Sequence, residues 1–174
     1  MGTGGPERAW VRGAQGGDAS SLEALFRHHW PAAYRAAYLV VHDAGAAEDI
    51  AQEAFLAAVR NLDRFDRRRP FGPWLHRIVV NRAIDWARMR ALRPESGGDA
   101  LAGVAAAERA DAGEGLLAAI RSLPPDHRAV IVLRYLLGYT PGEIARLLDL
   151  PRGTVNSRLR RALDALGGKL EDDR

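Results

Sequence analysis

Between Arg64 and Arg90 the chain interleaves the aromatics Phe65, Phe71, Trp74 and Trp86 with Arg64, Arg67, Arg68, Arg69, Arg77, Arg82, Arg88 and Arg90. Aromatic faces stack unpaired bases and guanidinium groups hold phosphates, so this mixture suits non-covalent capture of single-stranded nucleic acid. Further on, Thr154, Asn156, Ser157, Arg158, Arg160 and Arg161 crowd into one short segment. Hydroxyls, an amide and guanidiniums are the groups that bind phosphates and read base edges in a duplex. A third group, Asp49 and Glu53, pairs two carboxylates one helical turn apart, a spacing open to metal or acid–base work. No histidine lies within a turn of that pair to complete a ligand set. His28 and His29 are adjacent and so diverge by about 100° on a helix. His42, His76 and His127 have no carboxylate at ligand spacing, and the absence of cysteine excludes disulfides, thiol chemistry and cysteine-held zinc. The expectation is binding chemistry without a catalytic site, cofactor or metal.

Helical periodicity dominates the elements that must carry these groups, and no alternating strand pattern competes with it. Predicted helices run from Pro6 to about Gln15, from an Asp18 or Ser20 cap to Trp30, from Pro31 to His42, and from Ala46 to Leu62. An arginine-rich loop, Asp63 to Pro70, precedes a long helix that starts near Pro73 and ends near Leu92. Within the Ala46–Leu62 helix, Ile50, Ala54, Phe55, Ala58, Val59 and Leu62 form the core arc. Asp49, Gln52, Glu53, Leu56 and Arg60 form the other. A leucine set among charges marks a protein-binding face. On the long helix Arg77, Asn81, Asp85 and Arg88 make one polar stripe. Trp86 is expected in the core.

From Glu95 to Gly115, alanine and glycine supply 12 of 21 residues, too little bulk to build a core, which predicts a flexible linker. Beyond it come helices at Leu116–Leu123, Asp126–Leu137 (stopped by Gly138), and one opened by the capping box Thr140-Pro141-Gly142-Glu143 and reaching Leu148. A turn at Asp149–Gly153 leads to a last helix capped by Thr154 and ending before Gly167-Gly168. Val155, Leu159, Ala162 and Leu166 form its buried row, with Ile144, Leu147 and Leu150 as partners. The polar groups named above then face outward, a helix-turn-helix pattern with an arginine face. The expected architecture is all-α: a helical domain at 1–93, a linker at 94–115 and a helix-turn-helix domain at 116–174.

The net charge of +3 hides a block pattern. Residues 60–93 hold ten arginines against three acids, while residues 18–53 hold two against six. Basic blocks separated by acidic ones predict two separate polyanion contacts rather than a uniformly basic surface. No apolar run approaches the roughly 20 residues needed to span a bilayer, and the first residues lack a secretion signature, so a cytoplasmic protein is expected.

These residues resemble the extracytoplasmic-function group of sigma factors. The resemblance rests on four phrases in order: Ala47-Glu48-Asp49-Ile50-Ala51-Gln52-Glu53-Ala54-Phe55; Phe71-x-x-Trp74-Leu75-x-Arg77-Ile78-x-x-Asn81, followed by Asp85; Tyr139 to Ala145; and Gly153 to Ala162. It implies a protein that binds core RNA polymerase and promoter DNA and directs transcription initiation. Its first domain, sigma region two, would dock on the beta-prime clamp helices through Asp49, Gln52, Glu53, Leu56 and Arg60. The same domain would capture the melted minus-ten element through Asn61, Arg67, Arg68, Arg69, Phe71, Trp74, Arg77, Asn81 and Arg88. The second, region four, would read the minus-thirty-five duplex through Arg152, Thr154, Asn156, Ser157, Arg158, Arg160 and Arg161 and rest on the beta flap. An anti-sigma factor is the further partner implied. Asn156 stands where the family is often basic, Gly142 weakens the helix it opens, and Arg67-Arg68-Arg69 makes the loop unusually cationic. A helix-turn-helix regulator with an N-terminal sensing domain and a helical enzyme built on paired carboxylates are the other readings. The first would read duplex DNA without polymerase; the second would need a nucleophile–base pair, phosphate loop or metal set.

Overall fold

The computed structural model describes residues 4–92 and 110–172, and these form eight α-helices with no strand among them. The first four are α1 (Gly4–Gln15), α2 (Ala19–Val41), α3 (Ala44–Arg60) and α4 (Phe71–Ala91), with a short 3₁₀ turn at Leu62–Arg64. Asp18 caps α2 by accepting from the backbone N–H of Ser20 and Ser21 at 3.2 and 3.0 Å. Asp43 caps α3 through the N–H of Ala46 at 2.9 Å. Both are short side chains whose oxygen reaches a donor that the helix itself leaves unpaired.

The two helices expected on either side of Pro31 are one, because Pro31 lies within α2 on its exposed side. The hydrogen bond that the ring removes is therefore lost where the orphaned carbonyl faces solvent. Leu25 and His29 before it and Ala33, Ala36, Ala37 and Val40 after it share one buried face, which holds the helix in a single line. α4 opens at Phe71 rather than Pro73, and its cap comes from far away in the sequence. Glu7 of α1 accepts from the Phe71 N–H at 2.8 Å. Gln15, at the other end of α1, donates to the carbonyls of Leu62 and Phe65 at 2.8 and 3.0 Å. α1 thus braces both ends of the segment that carries the arginine-rich loop.

The second group comprises α5 (Ala110–Ser122), α6 (Pro125–Ile131), α7 (Pro141–Leu148) and α8 (Arg152–Asp172). Residues 110–115 of the expected linker belong to α5; its other residues, 94–109, lie outside those described. The helix expected to Leu137 loosens after Ile131 into a π-helical turn, Val132–Leu136. Gly138 then turns the chain with φ of 74°, a conformation that costs glycine little. The Thr140 capping box forms in full: Thr140 N–H donates to Glu143 at 2.8 Å and Glu143 N–H to Thr140 Oγ1 at 3.4 Å. Thr140→Ala is expected to destabilise this domain by about 1 kcal/mol, measured as a shift in the urea midpoint at unchanged slope.

α8 differs from expectation at both ends. It starts at Arg152, because the Pro151 carbonyl accepts from Thr154 and Val155 N–H at 3.0 and 3.2 Å, which leaves Thr154 inside the first turn rather than at the cap. It also runs through Gly167 and Gly168, neither of which adopts the left-handed conformation that ends a helix.

The core beneath these helices is aliphatic. Leu25, Val40, Leu75, Val79 and Val80 are fully buried in the first group, and Val130, Leu133, Ile144 and Val155 in the second. The groups also touch: α6 and α7 pack against α4, and α6 against α2. Across this seam His76 Nδ1 lies 2.7 Å from the Tyr139 hydroxyl, and Arg88 meets Asp126 at 2.6 Å.

Candidate nucleic-acid interface and docking face

The α3 face is presented as its periodicity requires. Asp49, Gln52, Glu53, Leu56 and Arg60 are all exposed, and Leu56 leaves 54% of its surface to solvent. Val59, expected in the core, is 41% exposed beside it, because Ala47 and Ala51 fill the inner arc instead. Phe26 of α2 extends the apolar surface, stacked on Trp30 with ring centroids 4.8 Å apart. Glu53 reaches across to Arg82 of α4 at 2.5 Å, which fixes one carboxylate of the face and leaves Asp49 free of any ion pair among the described residues.

In the loop before α4, Arg67, Arg68 and Arg69 are exposed. Arg68 curls back on Asp66 through its Nε at 3.0 Å, and this side-chain contact holds the Asp66 carboxyl below the usual carboxylate range. Arg67 and Arg69 have no such partner among the described residues. Phe71, named above as a DNA contact, is instead buried at 3% exposure, edge-on to Phe65 and Trp74. Its role is to seat the start of α4, because an aromatic ring at the first helical position packs inward under the loop. Trp74 is half-buried and stacks on Phe65 at 4.6 Å, leaving part of its ring open to a cleft of ≈ 980 Å³. Asn61, Arg64, Arg69, Arg77, Tyr139 and Arg146 also line that cleft, so it lies between the loop and α7. Asn61 spends its amide on the Ala57 carbonyl at 2.8 Å, closing the end of α3. Arg77 is exposed and Asn81 half-buried, as one polar stripe along α4 demands. Trp86 is partly buried against the core with the Arg90 guanidinium 5.4 Å above its ring.

On α8 the inner row is as the spacing predicts: Val155, Leu159, Ala162 and Leu166 are buried, against Ile144 and Leu147 of α7. Asn156, Arg160, Arg161 and Arg152 are exposed. Thr154 and Ser157 are half-covered, and Ser157 donates to the Thr154 carbonyl at 3.0 Å. Arg158 is drawn off this face and pairs with Asp126 at 3.1 Å, the same carboxylate that holds Arg88 of α4. One aspartate thus engages an arginine from each of the two surfaces. Sequence spacing gave no sign of Asp126, Tyr139 or Glu7, because their contacts link residues 32 to 64 positions apart.

Residues 25–93 match the model of sigma-70 region 2, and residues 114–166 match that of sigma-70 region 4. The chain is 35% identical over 157 residues to the ECF RNA polymerase sigma factor SigW of Bacillus subtilis, covering 80% of this chain and 83% of SigW. It is 38% identical over 144 residues to the ECF RNA polymerase sigma-E factor of Escherichia coli, covering 73% and 75%. Among solved structures, CnrH in complex with the cytosolic domain of CnrY superimposes with a TM-score of 0.73 at 28% identity, over 97% of this chain and 99% of CnrH. Three exposed arginine-bearing or apolar faces on an all-helical frame, two family models in the right order and relatives matched over most of their length lead to one assignment: the chain belongs to the ECF group of sigma-70 family factors, the proteins that direct promoter-specific initiation by RNA polymerase.

Proposed function

We propose that the exposed α3 face, Asp49, Gln52, Glu53, Leu56 and Arg60, docks on the beta-prime clamp helices of core polymerase. The loop and cleft residues Asn61, Arg67, Arg68, Arg69, Trp74 and Arg77, with Asn81 and Arg88 further along α4, then hold the separated minus-ten strand. Arg152, Thr154, Asn156, Ser157, Arg158, Arg160 and Arg161 read the minus-thirty-five duplex, and the second domain rests on the beta flap. The protein acts in the cytoplasm and contributes binding energy and strand capture, with the polymerase supplying all catalysis. The observation that carries this reading is the outward row Asn156, Arg160 and Arg161 over a fully buried Val155. No described helix is long and apolar enough to cross a membrane.

The domains divide at 1–93 and 116–174 in this proposal, and the last six linker residues, 110–115, form the first turns of α5. Reading two separated DNA elements at once requires the α4–α6 seam to part. The 17 residues between Leu92 and Ala110 permit that, since a chain of this length reaches about 60 Å when extended. The exposed apolar residues Leu56, Val59, Leu117, Tyr135 and Leu163 suit a protein partner that covers both domains, for which an anti-sigma factor is the proposed occupant.

Single-round transcription by core polymerase on a promoter library, with and without the protein, tests the whole reading: specific initiation is expected only with it. Arg161→Ala should weaken binding to the upstream duplex about tenfold, roughly 1.4 kcal/mol, and relax preference at one base position. Arg69→Ala combined with Arg77→Ala should leave that binding unchanged and reduce permanganate reactivity of the melted bubble. Equal loss of both steps in both proteins would instead indicate a single composite DNA surface.

A further inference from the structure

α1 crosses α2 so that Glu7 stands against the two adjacent histidines of the longer helix. Glu7, His28 and His29 each offer one ligand atom, and these atoms lie within 4.8 Å of one another. We propose that Glu7, His28 and His29 form a binding site for a divalent ion of the zinc class, which ties α1 to α2.

Adjacent histidines diverge on a helix, yet the ligand atoms of this pair come within 4.8 Å of each other and of the Glu7 carboxylate. The two rings stand nearly perpendicular, at 87°, with centroids 4.8 Å apart. Two imidazoles and one carboxylate make a donor set for borderline ions such as Zn²⁺, Co²⁺ and Ni²⁺, leaving one position for water. Hard ions such as Mg²⁺ prefer oxygen throughout.

A second observation points to a ligand independently. His29 is 7% exposed, and its Nε2 lies 3.2 Å from Glu7 Oε2 without the alignment of a good hydrogen bond. A buried imidazole nitrogen this close to a carboxylate yet poorly aligned with it is incompletely satisfied, and an ion held by both groups would satisfy it.

The geometry needs little adjustment. Tetrahedral bonds of about 2.0–2.1 Å place neighbouring ligand atoms about 3.4 Å apart. Glu7 and His29 already meet that separation. His28 is exposed, against Trp10 at 5.5 Å between ring centroids, so its ring can turn inward and the ion can enter from that side. The other Glu7 oxygen accepts from the Phe71 N–H, which orients the carboxylate as outer partners orient metal ligands. Gly72 leaves room for this arrangement, because a Cβ there would lie 3.2 Å from His29 Cε1. An ion at this point stiffens the brace under the arginine-rich loop and would link metal supply to the strand-capturing surface.

The test uses the full chain without a polyhistidine tag, stripped of metal and titrated with Co²⁺. The expected result is one equivalent bound, with a visible d–d band that Zn²⁺ displaces, and a higher Tm in Zn²⁺. His28→Ala changes only an exposed side chain, and Glu7→Gln keeps an acceptor for the Phe71 N–H. Both should weaken Co²⁺ binding at least tenfold, and His28→Ala should melt like the parent protein without metal. No stoichiometric binding, or binding that survives His28→Ala, would overturn the site and leave Glu7 and His29 as a buried structural pair. Neither readout involves polymerase or DNA, so the outcome is independent of the docking and promoter-reading assignments.

Discussion

Asp49→Arg combined with Leu56→Ala is expected to weaken binding to core RNA polymerase by about two orders of magnitude, roughly 3 kcal/mol, without altering the fold. Leu56 stands clear of the α3 surface with more than half its area exposed, beside Val59 and Phe26. An apolar anchor of this kind, desolvated at the centre of an interface, can carry 2 kcal/mol or more by itself. In the proposed dock Asp49 would add an electrostatic share, and reversing its charge would replace attraction by repulsion across the same contact. Neither side chain supports the helix bundle: both are exposed, and α3 is held through Ile50, Ala54, Phe55 and Ala58. Glu53 is a less clean choice, because it is bound to Arg82 and its removal would disturb α4 as well. Surface plasmon resonance against immobilised core, with circular dichroism melting as the control, makes the measurement. Undiminished affinity would mean that the polymerase uses another face.

The second large effect concerns acidity. His76 is buried at the seam between the two domains with its Nδ1 against the Tyr139 hydroxyl, and burial, with His29 nearby, lowers its pKa to about 4. Burial also raises the Tyr139 pKa, with Glu143 and Glu7 adding to the shift, so the hydroxyl keeps its proton. An unfolded chain protonates His76 at about 6.5, so between pH 6.5 and pH 4 the unfolded state binds more protons than the native one. Stability is therefore full above pH 6.5 and falls as the pH drops through this window. The loss from His76 is about 2 kcal/mol between pH 7 and 5 and approaches 3 kcal/mol near pH 4. His42, lowered to about 4 by burial with Arg128 and Arg121 adding repulsion, works in the same direction. It is partly exposed and contributes less. Urea denaturation from pH 7.5 to 4.5 should show this slope, and His76→Gln should make it shallower. An unchanged slope in that variant would locate the titration elsewhere. Seam separation should accompany the loss, visible as an increased radius of gyration in small-angle X-ray scattering at acid pH before the helices melt.

Much of the architecture was legible in the chain alone. Apolar spacing gave the buried row of α8, the outward arc of α3 and the capping box at Thr140, because each is a local pattern that repeats with the helical period. The resemblance in motif order supplied the family, which the sequence comparisons bear out. Local signals misled where a residue's usual role was overridden by packing. Pro31 reads as a helix start, yet a continuous buried face on either side keeps α2 whole. Gly167 and Gly168 read as a stop, yet α8 continues past them. Phe71 reads as a base-stacking ring among arginines, yet it is inside, because the first turn of α4 sits on Phe65 and Trp74.

Tertiary structure alone decided which charged and polar groups meet. Composition and period determine the helices and their faces, since those depend on neighbours three or four residues away. The contacts of Glu7 with Phe71 and His29, of Asp126 with Arg88 and Arg158, and of His76 with Tyr139 join residues 22 to 64 positions apart. Such pairings depend on how α1 crosses α2 and how α6 and α7 lie against α4, and those crossings follow from side-chain interlocking over whole helix faces. Hence the sequence by itself determined what kinds of surface this protein presents, while the packing of its helices decided which of those groups are free to bind and which are already held by one another.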